Sequence, residues 1–247
     1  MATHVEERTT YARRGVQERD WNGIPARIFL QPIAAPSVLG LYGFMGATLI
    51  VAAHMAGWYG SETTPEFLFP FAAMFGGVAQ FAAGMWAFKA RDALATAMHG
   101  MWGSFWMAYG ILYALDATGT LALPTGKFVG LGFWFIVLAA VTAMGALAAL
   151  GESLGLFAVL STLATGSVLA AIAMITGSSG WETVAGWVFV FSAGFAWYTA
   201  SAMMLTSVTG RTVLPLGKYS RAANVPGHEP VTAVEYEYGE PGVKQGQ

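Results

Sequence analysis

Six long apolar runs, separated by short polar seams, dominate the chain. They lie near 35–57, 67–88, 94–115, 128–150, 154–176 and 183–207. Each is long enough to cross a hydrocarbon core about 30 Å thick, which takes about 20 residues of helix. The seams are the polar loop GSETTPE (60–66), the charged turn KARD (89–92), the longer loop DATGTLALPTGK (116–127), GES (151–153) and TGSSGWE (176–182). Pro65 suits a helix start, where a missing N–H costs nothing. A β-barrel is excluded by pattern. Barrel strands alternate over about ten residues, whereas these runs are continuous and longer. The pattern predicts an all-α membrane protein with six transmembrane helices per protomer. The domains follow as an N-terminal segment (1–32), a six-helix transmembrane domain (33–220) and a C-terminal tail (221–247) that reads as disordered.

Composition agrees. The 247 residues are 55% hydrophobic and 11% charged, too few charges for the shell of an ordinary soluble domain, where about a quarter is usual. Of the 12 basic residues, all but Lys127 fall in the N-terminal segment, in the turn after the second run or after the sixth run. Basic residues collect on the cytoplasmic side, so both termini are expected there, in a multi-pass protein of the cell membrane. The polar N-terminal segment is unlike a secretory signal. There is no cysteine, which removes disulfides and thiolate chemistry together.

Polar residues inside the runs fall into stripes at helical spacing. Gly76, Gln80 and Gly84 share a face of the second run, and Gly40, Phe44 and Thr48 share one of the first. His99, Trp102, Trp106, Tyr109 and Tyr113 line up on the third, Ser161 and Thr165 on the fifth, and Ser192, Ala196, Thr199 and Met203 on the sixth. The fourth run is apolar almost all round, so it is expected to face lipid or another subunit. Small residues also let helices approach closely in membranes, and most of these positions read equally well as packing. Gln80 is the exception. Burying an unpaired amide costs roughly 2–7 kcal/mol, so it must meet a partner helix or a wet path.

No Asp, Glu, Lys or Arg lies inside a run; Asp92, Glu152 and Glu182 stand at the ends. His54 and His99 are the titratable candidates within the runs, and both sit near run ends, as interfacial histidines do. No phosphate-binding loop, nucleophile elbow, metalloprotease motif or paired carboxylates are present. The scattered methionines have no His or Cys beside them. The sequence therefore implies no enzyme, cofactor or metal, and no nucleic-acid partner.

Four stretches, in order, resemble the acetate uptake transporters, the bacterial succinate–acetate permeases and their relatives. They are APSVLGLYGF (35–44), FGGVAQFAAG (75–84), GSFWMAYG (103–110) and GRTVLPLGKY (210–219). Ala35 and Val38 stand where the family signature has asparagine and proline, and Trp102 where many relatives have tyrosine. The resemblance implies a hexamer of six-helix protomers, each with its own path for small monocarboxylates such as acetate, and for succinate in some members. It also implies an apolar constriction at Phe44, Trp102 and Leu163, with Ala196 at a position whose size affects the fit of the substrate.

Thr48, Gln80 and Tyr109 are the candidate donors to a carboxylate along such a path. The rings at the constriction disfavour a charge, so the protonated acid is expected to pass more easily, with the coupled proton on the substrate itself. A passive channel for acetate or formate-like anions and a membrane sensor or scaffold remain open on the same sequence.

Overall fold

The computed structural model describes residues 19–21, 24–26, 33–61 and 63–218. The chain divides into two units, Met1–Ile33 and Ala34–Gln247. In the first, β1 (Arg19–Trp21) and β2 (Ile24–Ala26) pair antiparallel, with Trp21 opposite Ile24. Asn22 and Gly23 separate them in sequence, and Asn-Gly is the strongest short hairpin signal. This short hairpin lies in the segment before the membrane domain, for which the hydropathy pattern predicts no element. The expected tail, 221–247, lies outside the described residues.

The second unit is helical. Six helical segments follow one another: α1 (Pro36–Met55), α2 (Thr64–Ala90), α3 (Ala93–Ala117), α4 (Val129–Ala149), α5 (Leu154–Thr176) and α6 (Ser179–Thr209). All except α3 are long and apolar enough to cross a membrane by length and composition. Helix α3 has 25 residues but spends more of them on polar and amphipathic side chains, including His99, Tyr109, Tyr113 and Asp116.

The seams end helices by recognisable means. In KARD, Arg91 takes the left-handed conformation with φ 57° and closes α2, while the Asp92 carboxylate accepts from Ala95 N at 2.9 Å and caps α3. Ser153 and Ser178 cap α5 and α6 in the same way. Gly177 ends α5 at φ 72°, a conformation that glycine adopts without steric cost.

Each helix packs on the next, and α6 returns to α1, so the bundle is a closed ring. Helix α2 is irregular. Ala73–Ala79 forms a π-helical turn, and Gln80 is the first residue of regular helix after it. The i→i+5 bonding of such a turn rotates everything downstream, and such turns frequently mark functional sites.

Glycines set the helix separations around this turn. A Cβ on Gly43 would lie 2.5 Å from the Phe75 carbonyl oxygen, one on Gly84 2.7 Å from Gly100 N, and one on Gly103 2.7 Å from the Phe81 backbone. Backbone cannot move aside as a flexible side chain can, and overpacking costs about 1–3 kcal/mol. Gly103→Ala is therefore expected to lower the unfolding midpoint in detergent. Gly130→Ala, with nothing within 4 Å, should leave the midpoint unchanged or raise it.

Candidate functional site

Three cavities lie in series along the bundle axis. The largest, about 90 Å³, opens toward the ends of α1 and α3 and the start of α6, and its wall includes Thr48, His54, Trp106, Tyr109, Tyr113 and Glu182. The middle one, about 30 Å³, has Ser37, Phe44, Gln80 and His99 in its wall. The third, about 20 Å³, lies toward the opposite ends of the helices, against Glu152, Thr199, Met203, Leu216 and Lys218. Trp102 and Leu163 line both the first and the second. Ser37, Leu41 and Leu156 line both the second and the third. Two thin partitions of side chain thus separate the three chambers.

The first partition is aromatic and tightly held. The Trp102 indole donates to Thr142 Oγ1 at 2.9 Å. It meets Phe44 edge-on at a centroid distance of 6.2 Å and Phe105 at 5.4 Å. Phe44, Trp102 and Leu163 are each 2–3% exposed. The three residues expected at a constriction are thereby brought to one level, from α1, α3 and α5. The Thr142 hydroxyl thus gives the tryptophan found here a hydrogen-bond partner.

The remaining expected residues divide between the chambers. Thr48 and Tyr109 line the largest cavity, and Gln80 the middle one. Ala196 is fully buried in the core, on α6 between Ser192 and Thr199, and lines none of these three cavities. The stripes on α1 and α3 do face the chambers. Gly40 of the α1 stripe makes room for a side chain, since a Cβ there would lie 2.5 Å from the His99 ring.

Three expectations are corrected. His99 is not interfacial: it is 5% exposed and stands in the wall of the middle chamber. Ser161 and Thr165 form no inward face. Thr165 is exposed, and both hydroxyls return to backbone carbonyls of their own helix; the buried face of α5 is Val159, Leu163, Gly166 and Ser167 instead. Helix α4 is not turned wholly outward, because Phe135, Leu138 and Thr142 are buried within the protomer. Hydropathy could not distinguish its inner face, since lipid and core select the same side chains.

Sequence reasoning also missed the role of the segment after α6. Gly155 N donates to Leu216 O at 2.9 Å, and Tyr198 Oη donates to Pro215 O at 2.7 Å. These bonds fold GRTVLPLGK back over the start of α5, where Leu216 and Lys218 close the third chamber.

Several buried polar atoms find no protein hydrogen-bond partner: Thr48 Oγ1, Gln80 Oε1, His99 Nδ1, Trp106 Nε1 and Thr199 Oγ1. Thr48 and Trp106 belong to the first chamber, Gln80 and His99 to the second, Thr199 to the third. Elsewhere in the bundle, hydroxyls bond to backbone or to one another, as Ser167 does to Leu163 O, Ser192 to Val159 O and Tyr42 to Ser201. Unpaired polar atoms therefore follow the line of cavities.

Comparison with known proteins places this geometry. The model of the GPR1/FUN34/yaaH family matches residues 22–218. The chain belongs to that family. It is similar to the succinate-acetate/proton symporter SatP of Escherichia coli, 28% identical over 75% of this chain and 96% of the relative. It is also similar to ammonia transport outward protein 2 of Saccharomyces cerevisiae, 29% identical over 70% of this chain and 62% of the relative. The solved structure of the bacterial acetate channel SatP superposes with a TM-score of 0.69 at 27% identity, covering 75% of this chain and all of that one. The resemblance read from the four motifs is borne out, and the chain is a multi-pass membrane protein.

For this GPR1/FUN34/yaaH member the Trp102–Thr142 bond makes a direct prediction. Thr142→Val removes the acceptor but keeps the shape, leaving the indole N–H buried and unpaired at a cost of about 1–3 kcal/mol. Denaturation in detergent micelles should show that loss, and Thr142→Ser should recover most of it.

Proposed function

We propose that this protein carries small monocarboxylic acids, chiefly acetate, across the cell membrane through each protomer, with a proton. The observation that carries the proposal is the coincidence of unpaired buried polar atoms with the three chambers. A buried donor or acceptor without a partner costs about 1–3 kcal/mol. A line of them is stable only if water or a polar solute occupies the chambers. The names of the bacterial relatives, a succinate-acetate/proton symporter and an acetate channel, agree with an acid as that solute.

All six helices cross the bilayer in this reading, α3 included, because its polar face is turned to the chambers and to neighbouring helices. Both termini are cytoplasmic, following the basic residues, and the third chamber opens there. Protomers associate as a hexamer through exposed apolar side chains. Thr48 and Tyr109 receive the solute, and Gln80 donates to it below the ring of Phe44, Trp102 and Leu163. Ala196 acts through packing behind the path and not by contact.

The constriction decides the form that passes. Its side chains are apolar apart from one indole N–H already engaged by Thr142. Stripping a carboxylate of water costs far more than stripping the neutral acid. The acid therefore crosses protonated and brings its own proton. An anion channel on the same scaffold would instead give a current indifferent to a proton gradient. A sensor or scaffold would give no flux.

Labelled acetate uptake by proteoliposomes should rise, at constant total acetate, as the outer pH falls through the acid's own ionisation range. A rate tracking the anion would establish the channel. Gln80→Leu should cut uptake about tenfold, the loss of one hydrogen bond to a polar solute, with oligomeric state unchanged. Unaltered uptake would assign Gln80 to packing.

A further inference from the structure

The middle chamber holds a titratable side chain that the proposed mechanism does not use. His99 lies on α3, opposite α1 and α2, with its imidazole seated over Gly40. Among the residues lining that chamber, no other side chain titrates: the rest of the wall is Ser37, Gln80, Trp102, Phe44 and aliphatic residues of α1, α3 and α5. Asp92 caps α3, and Glu152 and Lys218 are charged groups in the wall of the third chamber. Both His99 Nδ1 and Gln80 Oε1 are buried without a protein partner.

The two side chains have complementary chemistry. The Gln80 amide nitrogen donates, and an unprotonated imidazole nitrogen accepts. A neutral carboxylic acid has one donor and one acceptor on adjacent oxygens, so its O–H can donate to His99 Nδ1 while its carbonyl accepts from the Gln80 amide. Water can do the same, but water passes without leaving a proton.

We propose that His99 and Gln80 form a two-point receptor for the neutral acid below the constriction, and that His99 takes up the proton the acid carries. The inference rests on the path proposed above. In the step, the O–H bond of the acid breaks and an N–H bond forms on the unprotonated ring nitrogen. The products are a carboxylate and an imidazolium, hydrogen-bonded to each other. The carboxylate moves on toward Thr199 and the third chamber. The imidazolium then returns its proton to water on that side and resets. A proton-loaded His99 cannot accept, so the step is blocked when the histidine is already charged.

The test is acetate exchange in proteoliposomes at equal inner and outer pH, with each rate divided by the concentration of neutral acid. For the wild type this normalised rate should fall as pH drops through the range in which His99 becomes charged. His99→Gln retains a hydrogen-bonding group but no titration. It should exchange about tenfold more slowly above that range, the worth of one charge-assisted hydrogen bond, and should show no step. A His99→Gln profile that superimposes on the wild type would overturn the inference while leaving the path intact. Absence of any wild-type exchange would overturn both. Should His99→Gln fail to assemble, a protein with His4, His54 and His228 changed to Gln leaves His99 as its one histidine. Acetate should then shift its ¹⁵N imidazole resonances, and resonances unmoved by acetate would refute the receptor.

Discussion

A polar atom that has lost water must find another partner, and this bundle leaves a line of them without one. Most side-chain hydroxyls inside it are satisfied by carbonyls one turn back, or across a helix contact as Ser192 is by Val159. The unpaired atoms of Thr48, Gln80, His99, Trp106 and Thr199 sit in walls of successive chambers. In a hydrocarbon surrounding, where no backbone or side-chain group can borrow solvent from outside, that line is what the proposed path rests on.

Close helix approach makes the line possible. Gly43 against Phe75 O, Gly84 against Gly100 and Gly103 against Phe81 bring α1, α2 and α3 nearly to backbone contact around the π turn. The ring closes tightly there, and the side chains that remain between helices are the large ones: Phe44, Trp102, Trp106 and Phe105. Small residues at the helix contacts and large ones between them give chambers of tens of Å³ separated by single side chains, instead of an open pore. On the proposed path a solute passes between chambers only by displacing a ring, and its charge sets how much that displacement costs.

Much of this is legible without coordinates. Hydropathy locates the six segments to within a few residues, and three-and-four spacing finds the inward faces of α1 and α3. Gln80 stands out because an amide in an apolar run needs a reason. Other features are hidden for identifiable causes. Thr142 lies in a run whose inward and outward faces are equally apolar. His99 sits near a run end, where exposure is the ordinary expectation, yet the space over Gly40 draws the imidazole inward. Ser161 and Thr165 have the right spacing but satisfy themselves on their own helix, so their stripe carries no path. The hairpin at 19–26 has only a local signal in the sequence, the Asn-Gly pair between its strands.

The amino-acid sequence alone determines that the chain lives in a membrane as helices, where those helices run and to which family it belongs, because length, hydropathy and local motifs are properties of contiguous residues. Which face of each helix is wet, that Phe44, Trp102 and Leu163 share one level, and that His99 joins Gln80 in one chamber were decided only by tertiary packing. Those facts depend on the rotation and separation of helices far apart in the chain, which the π turn before Gln80 and the glycine contacts set together.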